Sequence, residues 1–199
     1  MIELRLFGGM RIRLDFTFFA VLLLFVLLDR SGYALMGIAA CLLHELGHVL
    51  AMAACGCRPE RMDFYGAGIR ITSHDEYRLS TQRQVIVLAA GSVTNLLCAT
   101  LLLTLGEGVR IQVFAVMHVL VGIFNLFPVP AFDGGRLLLM LLMRVFSPDH
   151  AESVVRTVGI LFSLLLFAAA LWMWLSGHIH LTAALTAGYF FLMTLLSRP

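Results

Sequence analysis

Six apolar runs dominate the chain, at residues 16–28, 33–55, 84–105, 111–127, 155–175 and 179–196. Most approach the ~20 residues that a helix needs to cross a bilayer, and the shortest can be extended through Leu14. The rest of the composition agrees. Of 199 residues 60% are hydrophobic and 13% charged, and the mean hydropathy is +0.94, whereas soluble domains average about 45–50% apolar and about 25% charged. Such a chain cannot cover a water-facing surface, so its solvent is largely lipid. The expected fold is an all-α integral membrane protein of six transmembrane helices, one polytopic domain over residues 1–199.

All 14 basic residues are arginines, scattered between the apolar runs. No basic tract suited to nucleic acid is present. With the N-terminus in the cytoplasm, 12 arginines fall in inside segments and two, Arg30 and Arg110, in outside loops. That bias predicts a multi-pass protein of the cell membrane with both termini cytoplasmic. The first run is followed by no small-residue cleavage site and is expected to be a retained span. Cys41, Cys55, Cys57 and Cys98 form no C-x-x-C pair and read as small, inert, buried residues. Cys41, three residues before His44, is the one that can approach His44 along a helix face.

Two segments differ from the apolar runs. Residues 134–146, GGRLLLMLLMRVF, are too short to span and predict an amphipathic helix at the interface. Within 58–80, MDFYGAGIRIT sets aromatic and β-branched residues about a Gly-x-Gly, the composition of a small membrane-associated β-hairpin after helix 2. His178 and His180, in SGHIHL, read as interfacial residues, while His74, His118 and His150 stand alone and receive no role.

Inside the second apolar run lies His44-Glu45-Leu46-Gly47-His48, the pattern H-E-x-x-H. Residues four apart share a helix face, so both imidazoles can reach one ion. Glu45 sits beside them, where it can take a proton from an attacking water. Ionisable groups within a span are costly and are functional candidates by default. Zinc suits two imidazoles, a carboxylate and an open position, although other divalent ions are chemically admissible. Among the acidic residues, Asp133 stands out in NLFPVPAFDGGR, directly after the fourth run. Pro128 and Pro130 force an extended segment, and Gly134 and Gly135 permit a tight turn that can bring Asp133 back toward His44 and His48. The other reading of Asp133 is an N-cap for the helix that follows.

These residues recur in order as HELGH, then Gly91 to Asn95 (GSVTN), then Asn125 to Gly134 (NLFPVPAFDG). Together they resemble the site-2 protease family of intramembrane zinc metalloproteases, over roughly residues 35–140. The compact form looks most like the sporulation-type branch, which processes the precursor of a mother-cell sigma factor. The resemblance implies one zinc per chain on His44, His48 and Asp133, with Glu45 as the catalytic base and a catalytic core over about 33–140. It also implies that Asn95 holds substrate or supports the transition state, and that Asn125, Pro128 and Pro130 line the substrate groove. Ser92 and Phe132 depart from the family pattern, and no tail after residue 196 offers the nucleotide-sensing domain of sporulation-type members. The implied activity is hydrolysis of peptide bonds within or beside membrane segments of protein substrates, a sigma-factor precursor or anti-sigma factor among them. Implied partners are that substrate, regulatory membrane proteins and the lipid bilayer, with no nucleic acid. The rival reading is a divalent metal transporter using the same intramembrane cluster. No repeat-related motif pair of the kind common in transporters is visible.

Overall fold

Alternating apolar and charged residues make strands at the N-terminus, β1 (Ile2–Arg5) and β2 (Arg11–Leu14), ahead of any helix. In the computed structural model, residues 2–5, 11–29, 31–65, 68–73, 75, 78–178 and 181–196 are described. The expected hairpin is present as β3 (Arg61–Tyr65) and β4 (Gly68–Thr72), paired antiparallel with Phe64 opposite Ile69. Its turn, Gly66 and Ala67, lies outside the described residues, as do His74 and His180. The hairpin is half of a four-stranded sheet in the order β1-β2-β3-β4, with β2 parallel to β3. This corrects the sequence reading, which found only β3 and β4. The period-2 signal of IELR and RIRL was legible but spans only four residues each. The Glu3–Arg13 cross-strand pair closes at 3.4 Å.

The helices are α1 (Phe16–Leu28), α2 (Tyr33–Ala54), α3 (Thr81–Leu105), α4 (Val109–Asn125), α5 (Asp133–Leu142), α6 (Pro148–Leu175) and α7 (Leu181–Leu196). Each expected apolar run carries a helix. Three of them, α2, α3 and α6, are long and apolar enough to cross a membrane. By contrast α1 has 13 residues, about 20 Å of helix against about 30 Å of hydrocarbon. The stretch expected at the interface is α5, ending at Leu142.

Contacts group the chain into two compact units, residues 1–123 and 124–199. In the first, α2 buries Ala40, His44, Gly47, His48 and Met52, while Leu42, Leu46 and Leu50 on its other side are 45%, 46% and 60% exposed. The facing helix α3 buries Gly91, Ser92, Asn95 and Ala99. Small and polar residues inside with leucines outside invert the order of a water-soluble core, as helices packed in lipid require. Gly47 sets the approach of α2 to α3: a Cβ there would lie 2.9 Å from the Ala90 carbonyl oxygen. Phe18 of α1 packs edge-on against Phe64 of β3, ring centres 5.2 Å apart, seating the sheet beside that helix. Met52, Cys57 and Val87 form the buried apolar cluster of this unit.

The second unit packs α5, α6 and α7 through aromatic contacts. Phe167 stacks on Phe191 at 6.0 Å and Phe132 on Phe190 at 5.4 Å. Of the four cysteines Cys57 alone is buried, and Cys41 is exposed. The expectation that all four are buried is therefore corrected: on helices whose outer faces meet lipid, a small apolar thiol can sit on either side.

Two aspartates start helices from the loops. Asp15 accepts the Thr17 N–H at 2.9 Å at the start of α1. Asp29 accepts from the Ser31 hydroxyl, the Ser31 N–H (2.8 Å) and the Ala34 N–H (2.5 Å) at the start of α2. These bonds, that of the Ser31 side chain foremost, hold the Asp29 carboxyl below its ordinary range. A lowered folded-state value means the unfolded chain binds the proton more readily, so the stabilisation is present above 3.8 and fades as pH falls through the lowered value. Amide exchange at Ser31 and Ala34, corrected for its intrinsic pH dependence, is expected to accelerate in acid. In Asp29→Asn that acid-dependent component should be absent.

Candidate metal centre

Helical spacing carries His44 and His48 onto the buried side of α2 together, one turn apart, where α3 covers them. Their Nε2 atoms converge to 3.1 Å, with ring centres 4.8 Å apart and ring planes nearly perpendicular. Two nitrogens each 2.0–2.1 Å from one zinc at a tetrahedral angle sit about 3.3 Å apart, so the pair has the spacing of two ligands on one ion. The far side of His48 fixes its tautomer. Its Nδ1–H donates to the Val87 carbonyl at 2.7 Å, which leaves the Nε2 lone pair facing the convergence point.

The wall opposite is Gly91. A Cβ at this position would lie 2.7 Å from His44 Nε2 and nearer still to His48 Nε2. Absence of a side chain at Gly91 therefore holds open the space in front of both ligand atoms, and the residues present fit an ion there. His44 and His48 bring two imidazole nitrogens to this space, and Asp133, in the second unit, is the carboxylate expected to join them. Two imidazoles and a carboxylate are the donor set of a catalytic zinc site, which keeps a fourth position open. Glu45 is half-buried on α2, adjacent to His44 in the chain. Cys41 is exposed, whereas both imidazoles are buried.

Local chain geometry explains the position of Asp133. The segment after α4 is too tight for side chains at two points. A Cβ on Gly134 would collide with the Leu126 carbonyl, and one on Gly135 with the Val129 carbonyl. Pro130 and the Pro128 carbonyl rest against α6 at Gly159, where an added Cβ would lie 2.7 Å from Pro130 Cδ. Asp133 follows as the first residue of α5, with Phe132 in the cap position. The N-cap reading of Asp133 is thereby corrected, because the helix begins with it rather than after it. Asn125 is the last residue of α4 and half-buried, as are Pro128 and Pro130.

Asn95 has a neighbourhood that its sequence did not disclose. It is 0% exposed, and its carboxamide meets His44 Nδ1 at 3.4 Å on one side and His118 Nδ1 at 3.0 Å on the other. Both polar ends face histidines. His118, to which the sequence reading gives no role, is itself fully buried on α4. The signal that could have found it was present: a lone ionisable residue in an apolar span.

Three comparisons with known proteins give matches. The model of peptidase family M50 matches residues 109–166, a stretch that includes His118, Asn125 and Asp133. The chain is 34% identical over 65 residues to "Putative zinc metalloprotease LL2128" of Lactococcus lactis subsp. lactis (strain IL1403). That match covers 31% of this chain and 15% of the relative's length. The fold is similar to that of the solved Site-2 Protease from Methanocaldococcus jannaschii, with TM-score 0.69 and 19% identity over 98% of this chain and 93% of that one. The family model matches under a third of the chain and the curated relative is matched over 15% of its length, while the structural neighbour, at 19% identity, shows a likeness of fold.

Proposed function

We propose that this protein is a multi-pass membrane zinc endopeptidase that cleaves protein substrates within or beside their membrane segments. The observation that carries the reading is the convergence of His44 Nε2 and His48 Nε2 to 3.1 Å in front of Gly91, within an H-E-x-x-H helix. His44, His48 and Asp133 hold one zinc, and Gly91 leaves the room it occupies. When bound, zinc lowers the pKa of a water toward about 7 and polarises a carbonyl. Glu45 takes a proton from the attacking water and returns it to the leaving amine, the two halves of general acid–base catalysis. Asn95 supports the site through His44, and Asn125, Pro128 and Pro130 border the path of the substrate. The arginine distribution supports both termini in the cytoplasm.

A helical substrate hides its scissile carbonyls, so it must unwind locally and needs a partner for its extended backbone. The sheet order leaves β4 as an edge strand, whereas β3 is paired on both sides. Substrate pairing is therefore assigned to β4, by strand addition. The uninterrupted course from HELGH to NLFPVPAFDG, residues 44–134, favours the compact sporulation-type branch and a membrane-associated sigma-factor precursor or anti-sigma factor as substrate.

The test uses full-length protein in detergent and a membrane-anchored reporter substrate. About one zinc per chain is expected, with Asp133→Ala weakening zinc by more than about 100-fold and abolishing cleavage. Zinc flux across proteoliposomes without any cleavage would replace this reading with a transporter. A folded wild-type protein that binds no zinc would end it.

A further inference from the structure

We propose that His118 is a positioning residue for the metal site, acting through Asn95 to fix the proton of His44 on Nδ1 so that Nε2 can hold the ion. The inference rests on the metal reading above and adds a residue to it.

His44 Nε2 points at the convergence point beside Gly91. A neutral imidazole that binds metal through Nε2 carries its proton at Nδ1 and needs an acceptor there. In a buried site, such an acceptor fixes both the tautomer and the ring orientation of the ligand. The group beside His44 Nδ1 is the Asn95 carboxamide, at 3.4 Å. The two ends of a carboxamide have the same shape, and the surrounding bonds decide which end faces which ring. As placed, Asn95 Nδ2 faces His44 Nδ1 and its Oδ1 faces His118 Nδ1, 3.0 Å away. Ligation through His44 Nε2 requires the carboxamide to turn over, so that its oxygen accepts from His44 Nδ1–H and its –NH2 donates to His118 Nδ1. His118 then accepts at Nδ1 and carries its own proton at Nε2, a buried atom with no hydrogen-bond partner among the described residues.

A neutral His118 is the kind of partner that permits this setting. An apolar residue in its place would leave a buried –NH2 without an acceptor, and Asn95 would lose its preferred orientation. Packing keeps the chain in place. Asn95 and His118 are both 0% exposed, and Gly122, one helical turn after His118, brings α4 so close that a Cβ there would lie 3.2 Å from Asn95 Cβ. His118 is also held by Phe114, one turn earlier, with ring centres 4.6 Å apart.

The experiment measures zinc affinity of the full-length protein by competition with a chromophoric chelator, alongside thermal unfolding of the zinc-free form. His118→Leu keeps most of the volume and removes the acceptor; zinc affinity is expected to fall by about 10–100-fold. His118→Asn is smaller but places a polar atom where Nδ1 sits, and should hold affinity within about threefold of wild type. A residue needed only for packing would give the reverse order, with Leu milder than Asn. Should His118→Leu not fold, His118→Phe retains a ring beside Phe114 and takes its place. Equal zinc affinity in wild type and the apolar variant, or loss in His118→Asn as deep as in the apolar variant, overturns the inference while leaving the endopeptidase reading intact. A wild type without zinc ends both.

Discussion

Glu45→Gln is expected to lower peptide-bond cleavage by about 10²–10⁴-fold, the usual contribution of a positioned general base, while the protein retains its zinc. Gln matches Glu in shape and hydrogen-bonds well, but it cannot accept and return a proton at neutral pH. The proposed ligands are His44, His48 and Asp133, so the substitution leaves all three donors in place. The measurement pairs turnover of a membrane-anchored substrate with zinc content of the same preparation. Loss of cleavage with full zinc supports a proton-transfer role. Loss of zinc along with cleavage would instead make Glu45 part of the binding site, and unchanged cleavage would remove it from the chemistry.

Gly91→Ala should be as damaging by a different route. Its new methyl would occupy the space facing both Nε2 atoms, 2.7 Å from His44 Nε2 and closer to His48 Nε2. No rotation relieves this, because a Cβ is fixed by the backbone and the colliding ring atoms are held from behind by Val87 and Asn95. Zinc content is expected to fall from about one per chain to near zero, with cleavage reduced by at least about 10³-fold. Helix stability should not suffer for reasons of propensity, since Ala in place of Gly favours α3 by about 1 kcal/mol. A melting temperature close to that of the zinc-free wild type would separate lost metal from lost fold. Wild-type zinc in this variant would show that the ion does not sit where the two imidazoles converge.

The apolar runs and the H-E-x-x-H spacing were legible because both are short-range signals. Hydrocarbon solvation sorts residues along twenty-odd consecutive positions, and a helix turns His44 and His48 to one face whatever surrounds them. The β1–β2 strands were readable as alternation but too short to weigh against the apolar background. Their parallel pairing of Arg11–Leu14 with Arg61–Phe64 joins segments some fifty residues apart, which no local pattern records. Asp133 was reachable by screening few acidic residues, helped by the prolines and glycines around it. His118 was legible as an ionisable residue in an apolar span, but nothing in its neighbours on α4 shows that α3 presents Asn95 to it.

The sequence by itself determined that this chain is built for lipid, that two imidazoles and a glutamate share one helix, and that a Pro-rich turn delivers an aspartate to the start of another. Tertiary structure decided which polar groups meet. Gly91 as the wall of the ion space, Val87 as the anchor of His48, and the Asn95–His118 pair behind His44 all arise from contacts between helices. The physical reason is that tautomer, ring orientation and open volume are properties of a packed neighbourhood, set by atoms distant along the chain and within a few ångströms in space.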